Sequence, residues 1–288
     1  EEDGPDADAD GEEEEEEEER KKRTAAAAAE RGGGDEDSGE DGATGKGPGA
    51  ASGSGPDPPG DPIAEALGAR LGAEPTYLTK DGASWIIHAR GWFPTSDEES
   101  FARHWEMHPT EFHELKLFGR TYFENRWSQS WGHNYRYSGS VSRSRELRSD
   151  DPDSEMVRLL IDRANDLVSG IIKGGPERAY NGCLQNWYEP DYTIGLHSDD
   201  EKDLREGYPI FSLSWGGTRR FVLKSRADSP SLCFEKTHDA LLQDGDLLVM
   251  GGMCQRTHKH EVPKRRKTKD PPTSNRINWT IRAFLPQK

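Results

Sequence analysis

Three polar residues in the C-terminal half of the chain have the types and the order that a mononuclear metal site requires. His197 and Asp199 stand two apart in the segment LHSDDE, so in an extended backbone their side chains emerge on the same face. A second imidazole can come from His258 or from His260 in the segment HKHEVP. Two imidazoles and one carboxylate occupy one face of an octahedral Fe(II) ion and leave three positions open. The pattern therefore predicts an iron site.

A second group of residues fits the far end of a cosubstrate. The three open positions suit a bidentate 2-oxo acid together with O2. A dicarboxylate of this kind needs a cation for its second carboxylate, and Arg276 and Arg282 stand six apart in RINWTIR. On a strand both would point inward with Asn278 and Thr280, because side chains two apart share a face. The ordered series HxD, His, RxNxTxR predicts chemistry that uses Fe(II) and a 2-oxo acid.

The elements that must position these residues are mostly short strands. Runs rich in β-branched and aromatic residues, separated by Gly, Pro and Asp, lie at 180–188, 209–215, 219–224, 246–250, 258–262 and 278–284. One helix is predicted from a capping box at Ser96 to Trp105, and a second from Ser154 to Lys173. This succession predicts a mainly β, α+β fold of the sandwich, barrel or jelly-roll type.

The charge of the chain is concentrated at one end. The 288 residues carry a formal net charge of −16, yet residues 1–60 alone hold 21 acidic and 6 basic side chains, with no aromatic residue. Such a segment cannot bury enough apolar surface to offset the entropy of ordering, so residues 1–62 are predicted to be a disordered acidic tail. Residues 63–288 hold every Trp, Tyr and Phe and are predicted to form one folded domain.

Composition also predicts where the protein works. Three cysteines without a CxxC pair, the lack of a long apolar run and an acidic N-terminus predict an intracellular protein that does not enter a membrane. The basic runs RKKR at 20–23 and KRRKTK at 264–269 fit nuclear-import signals, so the nucleus is the expected location and the cytoplasm the alternative. Residues 256–269, with Arg219, Arg220, Lys224 and Arg226, are also expected to contact a phosphate backbone.

The segment from Tyr180 to Phe284 resembles the catalytic core of the AlkB family of Fe(II)/2-oxoglutarate nucleic-acid dealkylases. The motifs that carry the resemblance are HSDDE at 197–201, LSWGGTR at 213–219, HEVPK at 260–264 and RINWTIR at 276–282. They are most similar to the eukaryotic repair branch, from which Trp279 and Ile281 depart. The resemblance implies a double-stranded β-helix (jelly-roll) core, here at 180–284, with supporting helices on one side.

The resemblance also implies a role for each matching residue. It makes His197, Asp199 and His260 the iron ligands, since the family's second histidine shortly precedes a Pro. The residues implied to hold 2-oxoglutarate are Asn186, Tyr188, Arg276, Asn278 and Arg282. Those implied to contact the substrate are Tyr135, Tyr137, Asp200, Glu201 and Phe118. Tyr137 would stack on a flipped base above His197, Asp200 would face its exocyclic amino group, and Phe118 would wedge into a duplex.

The activity implied is oxidative demethylation of N-alkylated bases, such as 1-methyladenine and 3-methylcytosine, in DNA and also in RNA. Fe(II), 2-oxoglutarate and O2 would be required, and formaldehyde would be released. A cationic methylated base also favours an aromatic face and a nearby carboxylate on physical grounds. Two alternatives stay open: a 2-oxoglutarate hydroxylase or demethylase that acts on RNA marks or protein, and a non-catalytic nucleic-acid binder.

Overall fold

The computed structural model of the chain describes residues 59–94, 97–117, 120–137, 140–227, 232–233 and 237–286. The predicted tail thus lies almost wholly outside the described residues, as does Phe118. The division into a tail at 1–62 and a domain at 63–288 stays a prediction. No helix in the described part of the chain is long and apolar enough to cross a membrane.

Most of the described strands belong to two antiparallel sheets. The large sheet contains, in chain order, β1 (Pro75–Tyr77), β2 (Ser84–Ala89), β5 (Trp127–Trp131), β8 (Tyr180–Tyr188), β10 (Ile210–Gly216), β13 (Leu247–Gly252) and β15 (Arg276–Ala283). The small sheet contains β9 (Ile194–His197), β11 (Arg219–Ser225), β12 (Thr237–Leu242) and β14 (His258–Val262). Two separate hairpins are β3 (Glu114–Leu117) with β4 (Arg120–Phe123), and β6 (Tyr135–Tyr137) with β7 (Ser140–Ser142).

The order of the strands shows how the sheets are built. The large sheet has the order β1-β2-β13-β10-β15-β8-β5 and the small sheet the order β12-β11-β14-β9. Neighbours in space are mostly distant in sequence, and residues of both sheets line one shared pocket, so the sheets face each other. The predicted mainly β, jelly-roll fold is confirmed.

The helices support the large sheet. They are α1 (Pro62–Leu71), α2 (Glu98–Trp105), α3 (Glu155–Val168), which follows a 3-10 turn (Pro152–Ser154), and the short α4 (Cys254–Thr257). Leu160 and Ala164 of α3 share a small cavity with Phe211 and Ile281 of the large sheet. This side of the sheet is therefore the hydrophobic core, and the other side is free to carry the site.

Both helices predicted from the sequence are present, with different ends. The N-cap of α2 is Asp97, whose Oδ1 accepts hydrogen bonds from the amides of Glu99 and Ser100. The predicted cap was one residue earlier, at Ser96, which lies outside the described residues. Helix α3 ends at Val168 and not at Lys173, because Gly170 takes a left-handed φ of 73° and turns the chain away.

Strand β15 connects the core with the site. Every side chain of this strand is buried. Ile277, Trp279 and Ile281 alternate with four polar residues that line the pocket between the sheets, which are Arg276, Asn278, Thr280 and Arg282. The two-residue period of a strand thus places apolar side chains on the helical side and polar ones on the pocket side, as the sequence predicts.

Candidate metal centre and cosubstrate pocket

The three predicted metal ligands lie together between the two sheets. His197 ends β9 and stands opposite His260 of β14 in register, and Asp199 follows two residues after His197. Nε2 of His197 is 4.0 Å from Oδ1 of Asp199, and Nε2 of His260 is 3.9 Å from Oδ2 of the same carboxylate. One ligand atom from each residue lies within 4.8 Å of the others. A single ion is therefore able to contact all three.

Neighbouring groups fix the orientation of this cluster. Nδ1 of His197 is 2.8 Å from the carbonyl oxygen of Gly195, which directs Nε2 toward Asp199. Oδ1 of Asp199 accepts a hydrogen bond of 2.6 Å from Nη2 of Arg282. Oδ2 is buried and has no hydrogen-bond partner among the described residues. A buried carboxylate oxygen without a donor is costly unless a cation contacts it, so the cluster fits Fe(II).

The local electrostatics favour the metal-binding protonation states. Burial and, to a smaller extent, the neighbouring His260 lower the pKa of His197 to about 3. Burial also lowers the pKa of His260. Burial opposes ionisation of Asp199, but Arg282 and the two histidines outweigh it and lower the pKa of this carboxyl. Neutral imidazoles and an ionised carboxylate are the forms that bind a divalent ion.

The structure distinguishes between His258 and His260, the two histidines that the spacing allowed as the second imidazole ligand. His260 belongs to the cluster and lines the pocket, and the ring of Phe221 stacks on it with a centroid distance of 5.2 Å. In the described part of the chain, His258 belongs to neither, and its Nδ1 lies 2.8 Å from Oγ1 of Thr257. The position of His260 supports its predicted role as a ligand, which stays a prediction.

A pocket lies between the sheets beside the cluster. It is lined by all five residues predicted to hold the cosubstrate, which are Asn186, Tyr188, Arg276, Asn278 and Arg282. The metal cluster lines the same pocket. Most of the other lining residues are apolar, namely Leu184, Ile194, Phe221, Met250 and Val262. The arrangement can hold a small dianion against the metal in surroundings with little water.

The two arginines of β15 contact different partners. Arg276 donates from Nη2 to Oγ of Ser214 at 2.9 Å, and its guanidinium lies 5.2 Å from the centroid of the Tyr188 ring. Its Nε and Nη1 have no hydrogen-bond partner among the described residues, so they fit a carboxylate of 2-oxoglutarate. Arg282 instead contacts Asp199. The structure thus places Arg282 against a predicted ligand, although both arginines were expected to bind the cosubstrate.

Residues 84–282 match the family model of the 2OG-Fe(II) oxygenase superfamily. The chain belongs to this superfamily. The predicted class of enzyme, a dioxygenase, is therefore confirmed, together with its requirement for Fe(II), 2-oxoglutarate and O2.

Individual relatives of this oxygenase are AlkB homologues. The chain is 35% identical to the DNA oxidative demethylase ALKBH2 of Bos taurus over 131 residues, which is 44% of each protein. It is 33% identical to the alpha-ketoglutarate-dependent dioxygenase alkB homolog 3 of Bos taurus over 124 residues, which is 42% of each. A solved structure of OsALKBH1 aligns with a TM-score of 0.45 and 19% identity, covering 73% of this chain and 100% of that one.

These matches confirm the resemblance to AlkB dioxygenases that the motifs predicted. The chain spans less than half of the length of these two curated relatives.

The predicted substrate residues of the oxygenase are only partly described. Asp200 is exposed, and its Oδ2 lies 3.8 Å from Nη2 of Arg226. Both carboxylate oxygens of Glu201 are buried without a hydrogen-bond partner among the described residues, and burial raises the pKa of this group. Both residues line a cleft that also reaches Asp199. Tyr135 and Tyr137 are the first and last residues of β6, whose backbone the structure describes. All four roles stay predictions.

The basic side chains of the oxygenase are more often paired than the sequence indicates. Arg219 is buried and donates hydrogen bonds to the carbonyl oxygens of Glu189, Tyr192 and Pro263. The expectation that Arg219 contacts a phosphate is therefore wrong, because these carbonyl oxygens hold its guanidinium inside the protein. Several other cations lie in ion pairs, namely Lys224 with Glu261, Arg266 with Asp270, and Arg256 with Glu206. Lys264, Lys267 and Lys269 are exposed.

Two functional positions carry no signal in the sequence. Gln255 accepts the amide hydrogen of Asp199 through Oε1 at 2.9 Å. Arg126 is wholly buried and contacts Asn186 of the pocket. Neither residue stands at a characteristic spacing from a motif, so pairing of distant segments was needed to reveal them.

Proposed function

We propose that the chain is an AlkB-type oxidative dealkylase that removes N-linked methyl groups from bases in DNA, with RNA as a further substrate. The observation that carries the proposal is the pocket in which the HSDDE, HEVPK and RINWTIR residues meet, with the metal cluster at one wall and Arg276 at the other. Its similarity to ALKBH2, which is named a DNA oxidative demethylase, supports this choice of substrate.

Different residues of the chain hold the metal and bind the cosubstrate. Bound Fe(II), with 2-oxoglutarate and O2, supplies the oxidising power to hydroxylate a methyl C–H bond, and the cosubstrate becomes succinate and CO2. His197, Asp199 and His260 hold the metal, and Arg282 keeps Asp199 ionised and oriented. Arg276 binds the distal carboxylate of the cosubstrate. The hydroxylated methyl group then leaves the base nitrogen as formaldehyde.

The substrate is a base whose methylation leaves it cationic, as in 1-methyladenine and 3-methylcytosine. Asp200 and Glu201 place two carboxyl groups beside Asp199, and a carboxylate attracts such a base. Tyr137 stacks on the flipped base, Tyr135 and Glu201 support Tyr137 and Asp200 beside that base, and Phe118 enters the duplex. The exposed lysines of the loop after β14 contact the phosphate backbone, namely Lys264, Lys267 and Lys269.

A turnover measurement tests the proposal. The full chain is incubated with Fe(II), 2-oxoglutarate and oligonucleotides that carry one 1-methyladenine, as single- and double-stranded DNA and as RNA. We expect succinate to form and the lesion to disappear, and both to cease in His197→Ala. Succinate formed without loss of the lesion would favour the hydroxylase of another substrate. Binding of the oligonucleotide without either product would favour the non-catalytic binder.

The acidic segment is proposed to restrain binding to unmodified nucleic acid. Residues Glu12 to Glu19 are eight consecutive glutamates, and an anionic arm on the same chain competes with phosphates for exposed lysines. Replacing these glutamates with glutamine should raise the affinity for unmodified DNA several-fold at low salt, and the difference should shrink as salt is added. Equal affinities at low salt would reject this restraint.

The nucleus is the proposed location of the protein. The run KRRKTK lies in an exposed loop, which import receptors require of such a signal. Imaging of the full chain fused to a fluorescent protein tests this, with a variant in which Lys264, Lys267 and Lys269 are glutamine. A variant that accumulates in the nucleus like the parent would show that this loop is not the signal.

A further inference from the structure

A buried ion pair stands directly behind the cosubstrate pocket. Arg126 precedes β5 and is wholly buried, as is its partner Glu124. Nη2 of Arg126 donates to Oε1 of Glu124 at 3.0 Å, and the hydroxyl of Ser128 donates to Oε2 at 2.9 Å. Nε of Arg126 donates to Oδ1 of Asn186 at 2.9 Å. Arg126 thus connects the ion pair to Asn186, which lines the pocket.

The contact with Arg126 determines which way the Asn186 carboxamide faces. A guanidinium has donors and no acceptor, so the atom of Asn186 that meets it must be the oxygen. The NH2 group of Asn186 is thereby turned toward the pocket, where Oδ1 of Asn278 lies 3.5 Å away. This one long contact uses at most one of the two hydrogens. Asn186 therefore keeps a donor for a ligand.

The neighbouring asparagine of the pocket is arranged differently. Nδ2 of Asn278 donates to Oγ of Ser212 at 2.9 Å and to the carbonyl oxygen of Leu213 at 2.8 Å. Its Oδ1 accepts from the hydroxyl of Thr280 at 3.1 Å. Both amide hydrogens of Asn278 are thus used inside the protein. Of the two asparagines, Asn186 is the one that can offer a hydrogen to a carboxylate.

We infer that Arg126 is a positioning residue that holds Asn186 with its NH2 group toward 2-oxoglutarate. Without Arg126 the carboxamide is free to turn its oxygen into the pocket, where it would repel a carboxylate. Glu124 balances the charge of Arg126 and aims its guanidinium. A buried ion pair contributes little net stability compared with apolar residues, so orientation is the function that its geometry serves. The inference rests on the proposed binding of 2-oxoglutarate in this pocket.

Arg126→Lys tests the inference in the full chain. Lysine keeps the charge beside Glu124, but one ammonium group cannot reproduce the fork that reaches both Glu124 and Asn186. We expect the Mn(II)-loaded variant to bind 2-oxoglutarate about tenfold more weakly by calorimetry, the effect of one hydrogen bond to a charged group. Its affinity for Mn(II) should stay within about twofold. In turnover, the KM for 2-oxoglutarate should rise while kcat at saturation stays close to that of the parent.

Ser128→Ala is the matched control. It removes a hydrogen bond from the same carboxylate of Glu124 and leaves the contact between Arg126 and Asn186 in place. We expect its affinity for 2-oxoglutarate to stay within about twofold of the parent, less than one full hydrogen bond would change it. A folded Arg126→Lys that binds 2-oxoglutarate like the parent would overturn the inference.

Asn186→Asp decides the question if Arg126→Lys does not fold. Arg126 can pair with the new carboxylate, so the fold is expected to persist, while the pocket meets an oxygen in place of the NH2 group. We expect at least a tenfold loss of 2-oxoglutarate affinity, and parental affinity would overturn the inference. Failure of the proposed function is a separate result: a parent chain that binds 2-oxoglutarate but leaves methylated oligonucleotides unchanged.

Discussion

The two sheets contribute different kinds of side chain to one pocket. The predicted metal ligands lie on the side of the small sheet, and hydrogen-bond donors for the cosubstrate lie on the large sheet. On the side of the small sheet, His197 and His260 are held neutral by burial, and Asp199 has an oxygen without a hydrogen-bond partner among the described residues. On the large sheet, the donors of Asn186 and Arg276 are held in fixed orientations by hydrogen bonds. A divalent ion needs unprotonated ligand atoms that point at it, whereas an organic dianion needs donors that are already oriented.

One contact joins these two sides. Arg282 extends from the large sheet to Oδ1 of Asp199, at 2.6 Å. Arg276, at the other end of the same strand, contacts Ser214 and lies beside Tyr188. Loss of a predicted metal ligand should therefore remove metal binding, and loss of a large-sheet residue that faces the cosubstrate should weaken 2-oxoglutarate binding first. Arg282 is the exception on the large sheet, because it acts on the metal side through Asp199.

The largest effect is expected from His260→Ala. It removes one of three ligands, so the affinity for Fe(II) or Mn(II) and the turnover should each fall by more than the roughly 100-fold that loss of an outer-shell partner costs. Calorimetric titration with Mn(II) measures the first. His258→Ala is the matched control on the same strand, and we expect it to keep metal binding. Equal losses in the two variants would contradict the assignment of His260.

Substitutions of the two arginines of β15 should affect different ligands, one the cosubstrate and the other the metal. Arg276→Lys keeps the charge but loses the fork, so the KM for 2-oxoglutarate should rise about 10-fold while Mn(II) affinity is unchanged. Arg282→Lys disturbs Asp199 instead, and we expect Mn(II) affinity to fall about 10-fold. Titrations with Mn(II) and with 2-oxoglutarate measure both. If each variant loses both ligands equally, the two sides of the pocket are not independent.

A smaller effect is expected from Ser214→Ala, which acts on the large-sheet side alone. The hydroxyl accepts from Nη2 of Arg276 at 2.9 Å, and its loss frees the guanidinium to move. We expect the KM for 2-oxoglutarate to rise by about 3- to 10-fold, less than the loss of a direct bond to the cosubstrate, because Arg276 keeps its charge and its place on the strand. Metal affinity should not change. An unchanged KM would show that Tyr188 and the strand suffice to hold Arg276.

The sequence predicted one class of these residues and missed another. His197, Asp199, Arg276 and Asn278 stand at short, regular spacings, and a strand converts such spacings directly into a shared face. Arg126 was missed because its contact with Asn186 depends on the pairing of β5 with β8, in which Ser128 stands opposite Asn186. The register between strands so far apart along the chain cannot be read from local pattern.

The same limit explains the errors at the surface and in the helices. Arg219 looks like an exposed cation in the run TRRF, but it is buried and its guanidinium donates to carbonyl oxygens of loop residues. Helix α3 has an apolar pattern that continues to Ile171, yet the chain leaves the helix after Val168 because the turn at Gly170 directs it toward β8. Local periodicity predicted the elements, and tertiary packing determined their ends and their exposure.

The smallest effect is expected for a histidine on the other side of the large sheet, which contrasts with the histidines of the site. His104 is buried beside Trp215 and Trp279, with ring centroids 5.3 and 6.1 Å away, and it does not line the pocket that contains the metal cluster. Its Nδ1 donates to the carbonyl oxygen of Ser100 at 2.7 Å. Burial lowers the pKa of His104 below 6.5, so this ring is neutral for structural reasons alone.

The pH dependence of the free energy of unfolding should reflect the protonation of His104. Below a pH of about 6.5 the unfolded chain binds a proton at His104 that the folded chain resists, so the free energy of unfolding should fall as the pH drops from 7.5 to 5.5. His104→Gln removes the titrating group, and its stability should fall less over the same interval. Urea unfolding of the metal-free parent and variant at both pH values measures the difference. Because every other group titrates alike in the two proteins, identical decreases would mean that the His104 ring is protonated as readily in the folded chain as in the unfolded one.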